Sequence, residues 1–445
     1  MTDMLKKDEQ GLGKIVIIEC ISSAVNYISD VRELGYEPVL VEFWVPEWRR
    51  EISRRNHDKH YSLNEDPVPE IIQAPQDYAA FLELMKRLDP VLIIPGSDQA
   101  IGPAMELSAD LGLIGNVPEI ISALRDKSVT QSVLKKAGLR YIDTLLIHSI
   151  EDALQFFHEK GDRPVIIKRE RGVASIGVIL CRTEEEITRA IKSQRIFFDD
   201  NNYVDKVIIQ EYIDGTEYVV DTISCRGEHR TIFALRYKKQ LLDDSRKIYD
   251  VDEYIDSGAE EYRYLSDYMF KVLDAIGLSY GPVHSEIMVD EKGPVLIEVN
   301  CRPAGASVKR SYQDRILGCH ETGESLDAYL NPDGFQNKIN TFGRYGHLRC
   351  PAMVKNMIMP ETVFVKRLKY DETAGKLKSF VYMLTNGENC IYEKAIDLGN
   401  TAGLIYLANE DEEQLKKDCE YLQQLEKNDL GALYDYEMPP ENGAA

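Results

Sequence analysis

The chain has 445 residues, too many for one ordinary hydrophobic core, so two to four domains are expected. With 75 Asp and Glu against 53 Lys and Arg, its net charge of −22 argues against nucleic acid as a main partner. No apolar run approaches the ~20 residues of a membrane span, and the opening MTDMLKKDEQGLGK lacks the apolar stretch of a signal peptide. Eight cysteines without a C-x-x-C pair read as free thiols in a reducing cytoplasm, not as a zinc cluster or disulfide framework.

In chain order, KIVIIE at 14–19 reads as a buried strand, followed by a helix to about Leu34 and a strand over Pro38–Phe43. The turn ECISSAVN lacks G-x-G-x-x-G, so a dinucleotide site of the Rossmann type is not supported. Ser22 and Ser23 fall at the strand's carboxyl end, as turn formers or as ligand contacts. Arg49, Arg50, Arg54 and Arg55 make a basic cluster that reads as a solvated helix face. A helix over Asp77–Leu88 precedes a strand over Pro90–Gly96. Ser97 and Asp98 lie at its carboxyl end, where open α/β sheets bind ligands. A helix over Ile101–Leu111 follows.

The run from Ala123 to Ala137 reads as one helix closed by Gly138. Lys127 stands in its first turn, against the helix macrodipole, which points either to a nearby anion or to solvent. In RPVIIKRERGVASIGVILCR a strand ends in Lys168, small residues form a loop over 169–177, and VILC returns as a strand. That is either an ordinary hairpin or a flap whose N–H groups reach phosphate oxygens, with Lys168 supplying positive charge to the α- and β-phosphates. It is not a Walker A loop. A helix over Thr183–Lys192 follows, then the strand VIIQEYI, the turn DGTE and the alternating strand YVVDTIS. Glu217 taken alone reads as a solvated turn carboxylate. Arg236, Lys238 and Lys239 follow the apolar strand TIFAL and are candidates for the γ-phosphate or a substrate carboxylate. DDSRKIYDVDEY reads as a mobile polar loop, and Glu260–Ile276 as a helix closed by Gly277.

The stretch GPVHSEIMVDEKGPVLIEVNCRPAGAS, Gly281 to Ser307, reads as a hairpin with strands Val283–Val289 and Pro294–Asn300. If Asp290 pairs with Pro294 across a loop ending in Gly293, Glu286 lies opposite Glu298 and His284 opposite Asn300. All four then share one face, while Ile287, Val289, Val295, Ile297 and Val299 face the core. Two adjacent carboxylates repel, so a cation belongs between them. With the Asn300 amide oxygen, Glu286 and Glu298 make a hard oxygen site suited to Mg²⁺ and phosphate. The Arg302 fork suits a carboxylate, a phosphate or a developing oxyanion.

These motifs resemble the ATP-grasp superfamily, in which two acids and an Asn in E…E-x-N hold Mg²⁺. G-P-x-H-x-E and N-x-R-x-x-G are similar to the bacilysin-type L-amino-acid ligases and the dapdiamide-type amide synthetases. The match covers about residues 90–310, more loosely before. The resemblance implies a multidomain α/β and α+β protein with an ATP-grasp fold. Residues 1–122 would form an N-terminal α/β domain with a parallel sheet, and 123–210 a lid. Residues 211–335 would carry the Mg site, and 336–445 a C-terminal α+β lobe. It implies ATP and Mg²⁺ (two ions, or Mn²⁺ in their place). Lys127 would face the phosphates and Arg171, Gly172, Ser175 and Gly177 would lie in the phosphate-covering loop. Backbone groups of Glu211 and Ile213 would read adenine, and Glu217 would accept from the ribose hydroxyls. Gln210 stands where many relatives carry an acid.

The activity implied is ATP-dependent joining of a carboxylate and an amine, amino acids in both roles, through an acyl phosphate. Arg302, His284 and Lys168 are the catalytic candidates, with His284 either orienting or deprotonating the amine or supporting Glu286. The expected partners are small molecules, the expected place is the cytoplasm, and a homodimer is left open. Two alternatives are a carboxylase that activates bicarbonate and a nucleotide-binding regulator without turnover.

Overall fold

A computed structural model describes residues 11–44, 61, 64, 66–172, 177–196, 206–241, 247–385, 387–394 and 401–438. The arginine cluster at 49–55 and Ser175 lie outside them. The N-terminal part is a four-stranded parallel sheet in the order Ile71–Gln73, Glu37–Glu42, Lys14–Ile18, Pro90–Pro95. Alternation explains its burial on both faces. Ile15 and Ile17 pack in one cluster, and Val16 and Ile18 in another. Asp77 caps the helix Tyr78–Leu88 by accepting from the Ala80 N–H.

A second, antiparallel sheet runs Thr144–Leu146, Val207–Glu211, Val165–Arg169, Ile179–Cys181. Helices Ile150–Glu159 and Glu184–Ile196 cover it through residues such as Phe156, Phe157, Ile187 and Ile191. The remaining frame is one eight-stranded antiparallel sheet. Its order is Gly293–Asn300, Gly281–Asp290, Thr216–Cys225, Glu228–Leu241, Lys247–Tyr254, Ala352–Met357, Gly403–Ala408, Phe380–Thr385. Strands from beyond residue 350 thus extend the sheet that holds the central hairpin. Helix Glu260–Ile276 seals one face through Leu265, Met269, Val272 and Leu273, and ends at Gly277 with φ 84°. A small sheet of Cys390–Tyr392, Val363–Leu368 and Tyr434–Glu437 closes the C-terminal end. Among the described residues no helix is long and apolar enough to cross a membrane, and all eight cysteines are free.

Three local expectations are corrected. The single helix over 123–137 is two, Ile121–Arg125 and Lys127–Lys136, broken at an extended Asp126 (φ −100°, ψ 104°). Asp is a good helix starter, and here its carboxylate is taken by Arg171. Lys127 is therefore the first helical residue, fully against the dipole. Of the polar run DDSRKIYDVDEY, residues Lys247–Tyr254 form an interior strand, not a loop. Its charges are tolerated because Asp250 meets the buried Lys355 (Nζ–Oδ1 2.9 Å). The third correction concerns the central hairpin, described next.

Candidate active site

The hairpin turn is tighter than the sequence suggests. Asp290 pairs with Gly293, and Val289 with Pro294, one step off the expected register. A bulge between Glu286 and Ile287 then inserts Ile297 as an extra residue and restores the offset. Glu286 consequently faces Glu298, and His284 faces Asn300. The bulge also turns Ile297 away from the core, where it was expected, into the pocket wall, while Leu296 takes the core position at 0% exposure.

One pocket gathers Glu286, Glu298, Asn300 and Arg302 with Lys127, Lys168, Gln210, Glu211, Ile213 and Glu217. It lies between the eight-stranded sheet and the smaller antiparallel sheet above it. Burial, and then the Glu298 charge, push the Glu286 carboxyl up to about 7. The Asn300 amide nitrogen donates to Glu298 (3.2 Å), which leaves its oxygen as an acceptor. Lys127 reaches Glu298 at 3.3 Å and donates to the Gly172 carbonyl at 3.1 Å, tying the floor to the covering loop. Lys168 is 6% exposed, and burial, with Lys127 beside it, lowers its pKa to about 8. Among the described residues no three His, Cys, Asp or Glu side chains gather as a metal centre. The oxygen set here is two carboxylates and an amide.

Arg302 does not hang free in the pocket. Its Nε and Nη2 donate to the two oxygens of Asp98 at 3.0 and 3.1 Å, and its Nη1 to the Pro303 carbonyl at 2.8 Å. Asp98 comes from the end of a strand in the parallel sheet, so the N-terminal region completes the site. The sequence placed Asp98 at a ligand-binding strand end without identifying this partner. His284, two residues before Glu286 on the same strand, is held with its Nδ1 2.8 Å from Asp221. Burial would lower the His284 pKa, but Asp221 outweighs it and leaves it raised. Glu321 completes this buried group and accepts from the Ala304 N–H at 3.0 Å. Burial and Asp221 push its carboxyl up to about 8. Neither Asp221 nor Glu321 carries a sequence signal, since both meet His284 and Arg302 only in three dimensions.

At the other end of the pocket, Gln210 donates to Thr144 Oγ1 (2.8 Å) and Glu211 accepts from the Asp143 N–H (3.1 Å). Glu217 is 7% exposed, not solvated as it reads in isolation. It accepts from Tyr249 (2.9 Å) and from Lys239, whose ammonium lies 4.4 Å from the Tyr249 ring centre. Lys239 lines the pocket, but Arg236 and Lys238 do not. Strand alternation sends those two to the opposite face, where Arg236 pairs with Glu261 and Glu253, and Lys238 with Glu253 (2.9 Å). Ser22 and Ser23 serve the fold. They hold the segment after Arg302, taking the Ser307 and Val308 N–H groups at 3.0 and 2.9 Å.

Residues 162–310 match the model of the ATP-grasp domain family. Dapdiamide A synthase of Enterobacter agglomerans is 25% identical over 370 residues, 79% of this chain and 83% of that protein. D-alanine–D-alanine ligase of Halalkalibacterium halodurans is 27% identical over 252 residues, 54% of this chain and 80% of that protein. In fold, the crystal structure of an L-amino acid ligase from Bacillus licheniformis superposes with a TM-score of 0.72, over 97% of this chain and 100% of that one, at 15% identity. The chain thus carries an ATP-grasp domain over residues 162–310 and is related to ATP-grasp carboxylate–amine ligases.

Proposed function

We propose that this chain activates a carboxylate with ATP and joins it to an amine, with amino acids as the substrate class, releasing ADP and phosphate. One observation carries the reading. Glu286, Glu298 and Asn300 share one face in a pocket with Lys127 and Lys168, and burial, then the Glu298 charge, push the Glu286 carboxyl up to about 7. That donor set fits a divalent cation of hard character. Bound there, Mg²⁺ would hold and neutralise phosphate oxygens of ATP.

The chain's own residues account for the rest. A carboxylate carbon is a poor electrophile, so one of its oxygens first attacks the γ-phosphorus, and ADP leaves. The amine nitrogen then attacks the carbonyl carbon of the acyl phosphate, phosphate leaves, and the nitrogen loses a proton. Lys127 and Lys168 offset phosphate charge. Arg302, oriented by Asp98, faces the transferred group and then the oxyanion, a contribution of roughly 3–4 kcal/mol for one well-placed donor. His284, steered by Asp221, orients the amine or takes its proton. Gln210, Glu211, Ile213 and Glu217 surround the adenosine. The smaller sheet covers the reacting groups and excludes water.

The test is phosphate release from Mg²⁺ and ATP against the twenty amino acids, singly and in pairs, with mass detection of the product. Release that requires one pair, with a dipeptide mass, is the expected result. ATP binding without release across the panel would overturn the reading.

A further inference from the structure

Thr144, Gln210 and Ile166 lie side by side on three neighbouring strands of the smaller sheet, so their side chains share a face. Gln210 and Ile166 line the pocket from that sheet, and Met288 and Ile297 line it from the eight-stranded sheet. A flat ring held between the two sheets would meet apolar side chains on both of its faces. Gln210 is the polar side chain that this row offers to the pocket.

A glutamine amide has a donor end and an acceptor end, and the hydrogen bonds around it decide which end meets a ligand. Thr144 has one hydroxyl proton and gives it to the Ile142 carbonyl, 2.8 Å away. Toward Gln210 the Thr144 oxygen can then only accept. The end of Gln210 that lies 2.8 Å from Thr144 Oγ1 is therefore the Nε2 donor. The amide is held one way round, and Oε1 is the end left over. Gln210 is 2% exposed and lines the pocket, and among the described residues nothing donates to that oxygen. Three residues on, the Ile213 N–H, also in the pocket wall, has no acceptor among the described residues.

We propose that Thr144 is a positioning residue for nucleotide selection. By holding Nε2 it makes Gln210 a fixed acceptor, and the pocket then takes a 6-amino purine and refuses a 6-oxo purine. Adenine presents an N–H donor at position 6 and an acceptor at N1. Hypoxanthine and guanine present a carbonyl at position 6 and an N–H at N1. Gln210 Oε1 with the Ile213 N–H matches the first pattern and sets like against like in the second. A carboxylate at position 210 would accept whichever way it turned, whereas an amide does so only when it is locked. The inference rests on the reading of the pocket as an ATP site for the choice of a purine nucleotide as ligand.

The test is calorimetric titration of ADP and of IDP into the full chain with Mg²⁺, which needs no turnover. Wild type is expected to bind ADP about 100-fold more tightly than IDP. Thr144→Val and Thr144→Ala leave no oxygen to hold Nε2, so the amide turns to donate to the 6-oxo group and the ratio should fall about tenfold. Two substitutions are used so that a folding failure in one leaves the other decisive. The double variant Thr144→Val, Gln210→Glu should regain the wild-type ratio, because a carboxylate accepts in either orientation. A purely structural role for Thr144 would weaken both nucleotides alike and leave the ratio where it was. An unchanged ratio in the Thr144 variants, or a double variant no more selective than Thr144→Val, overturns the assignment. Wild type that binds ADP and IDP equally overturns it too and leaves the ATP site standing. Wild type that binds neither nucleotide removes the ATP site itself. Phosphate release with amino acids tests the ligase reading separately, since the ratio does not depend on it.

Discussion

The two faces of the eight-stranded sheet both bury acids, and they treat them in opposite ways. On the back, Lys355 is 0% exposed and meets Glu426 at 2.5 Å and Asp250 at 2.9 Å, while Glu426 also accepts from the Ile358 N–H at 2.7 Å. Every charge there has an opposite within reach. On the front, Glu286 faces Glu298 across the hairpin, and the pair is met by Lys127 at 3.3 Å from Glu298 alone. Burial is expensive for an ion unless it is paired. Acids that hold a cation at contact distance, as Glu426 and Asp250 hold Lys355, are scaffold. Among the described residues Glu286 has no ion-pair contact, and burial and Glu298 push its carboxyl up to about 7, which leaves the front of the sheet with a place for a ligand.

The comparison predicts which substitutions harm folding and which harm chemistry. Lys355→Met strips Glu426 and Asp250 of their cation and should destabilise the chain by about 3–5 kcal/mol. Turnover per folded molecule should stay unchanged, and a denaturant titration beside an activity assay checks both. Glu298→Gln should do the reverse. Phosphate release should fall about 100-fold or more, while the ligand-free protein melts no lower than wild type because a like-charge contact has gone. Lys168→Met should lower turnover by a similar or somewhat smaller factor, about 100-fold, without unfolding, read by steady-state kinetics. Asp98→Asn keeps the shape but loosens the Arg302 fork. An expected loss of about tenfold in kcat with an unchanged KM for ATP would separate positioning from nucleotide binding.

The smallest effect is one of pH. Burial and the neighbouring Lys127 lower Lys168 to about 8. Its ammonium is present below that pH and lost above it, so ADP affinity should weaken as the pH rises from 7 to 9. Titrations of ADP binding at the two pH values check it, and Lys168→Met should flatten the difference.

Much of the front face was legible in the sequence because a strand has a fixed period. Alternation alone puts His284, Glu286, Glu298 and Asn300 together once the offset is right. The offset was right although the turn was not. A shorter turn and the bulge at Ile297 cancel, and a bulge has no signature in composition. The break at Asp126 was hidden because the residues on either side of it are good helix formers. The partner that takes the Asp126 carboxylate, Arg171, lies far along the chain. The strand Lys247–Tyr254 reads as a polar loop until Lys355 is seen to supply the partner for Asp250. Pairings across the fold, Asp98 with Arg302 and Asp221 with His284, leave no local pattern at all. The chemistry carried by one hairpin could be read, while the groups that steer it from other elements needed the structure.

The central claim is that Glu286 and Glu298 form a cation site left open by the protein itself. Thermal melts of wild type and the Glu286→Gln, Glu298→Gln double variant, with ADP present and Mg²⁺ titrated, test it most directly. Wild type should gain stability as Mg²⁺ rises, by mass action on the folded state. The double variant should start no lower and gain nothing from the metal. A variant that is stabilised by Mg²⁺ and ADP as strongly as wild type would contradict the account.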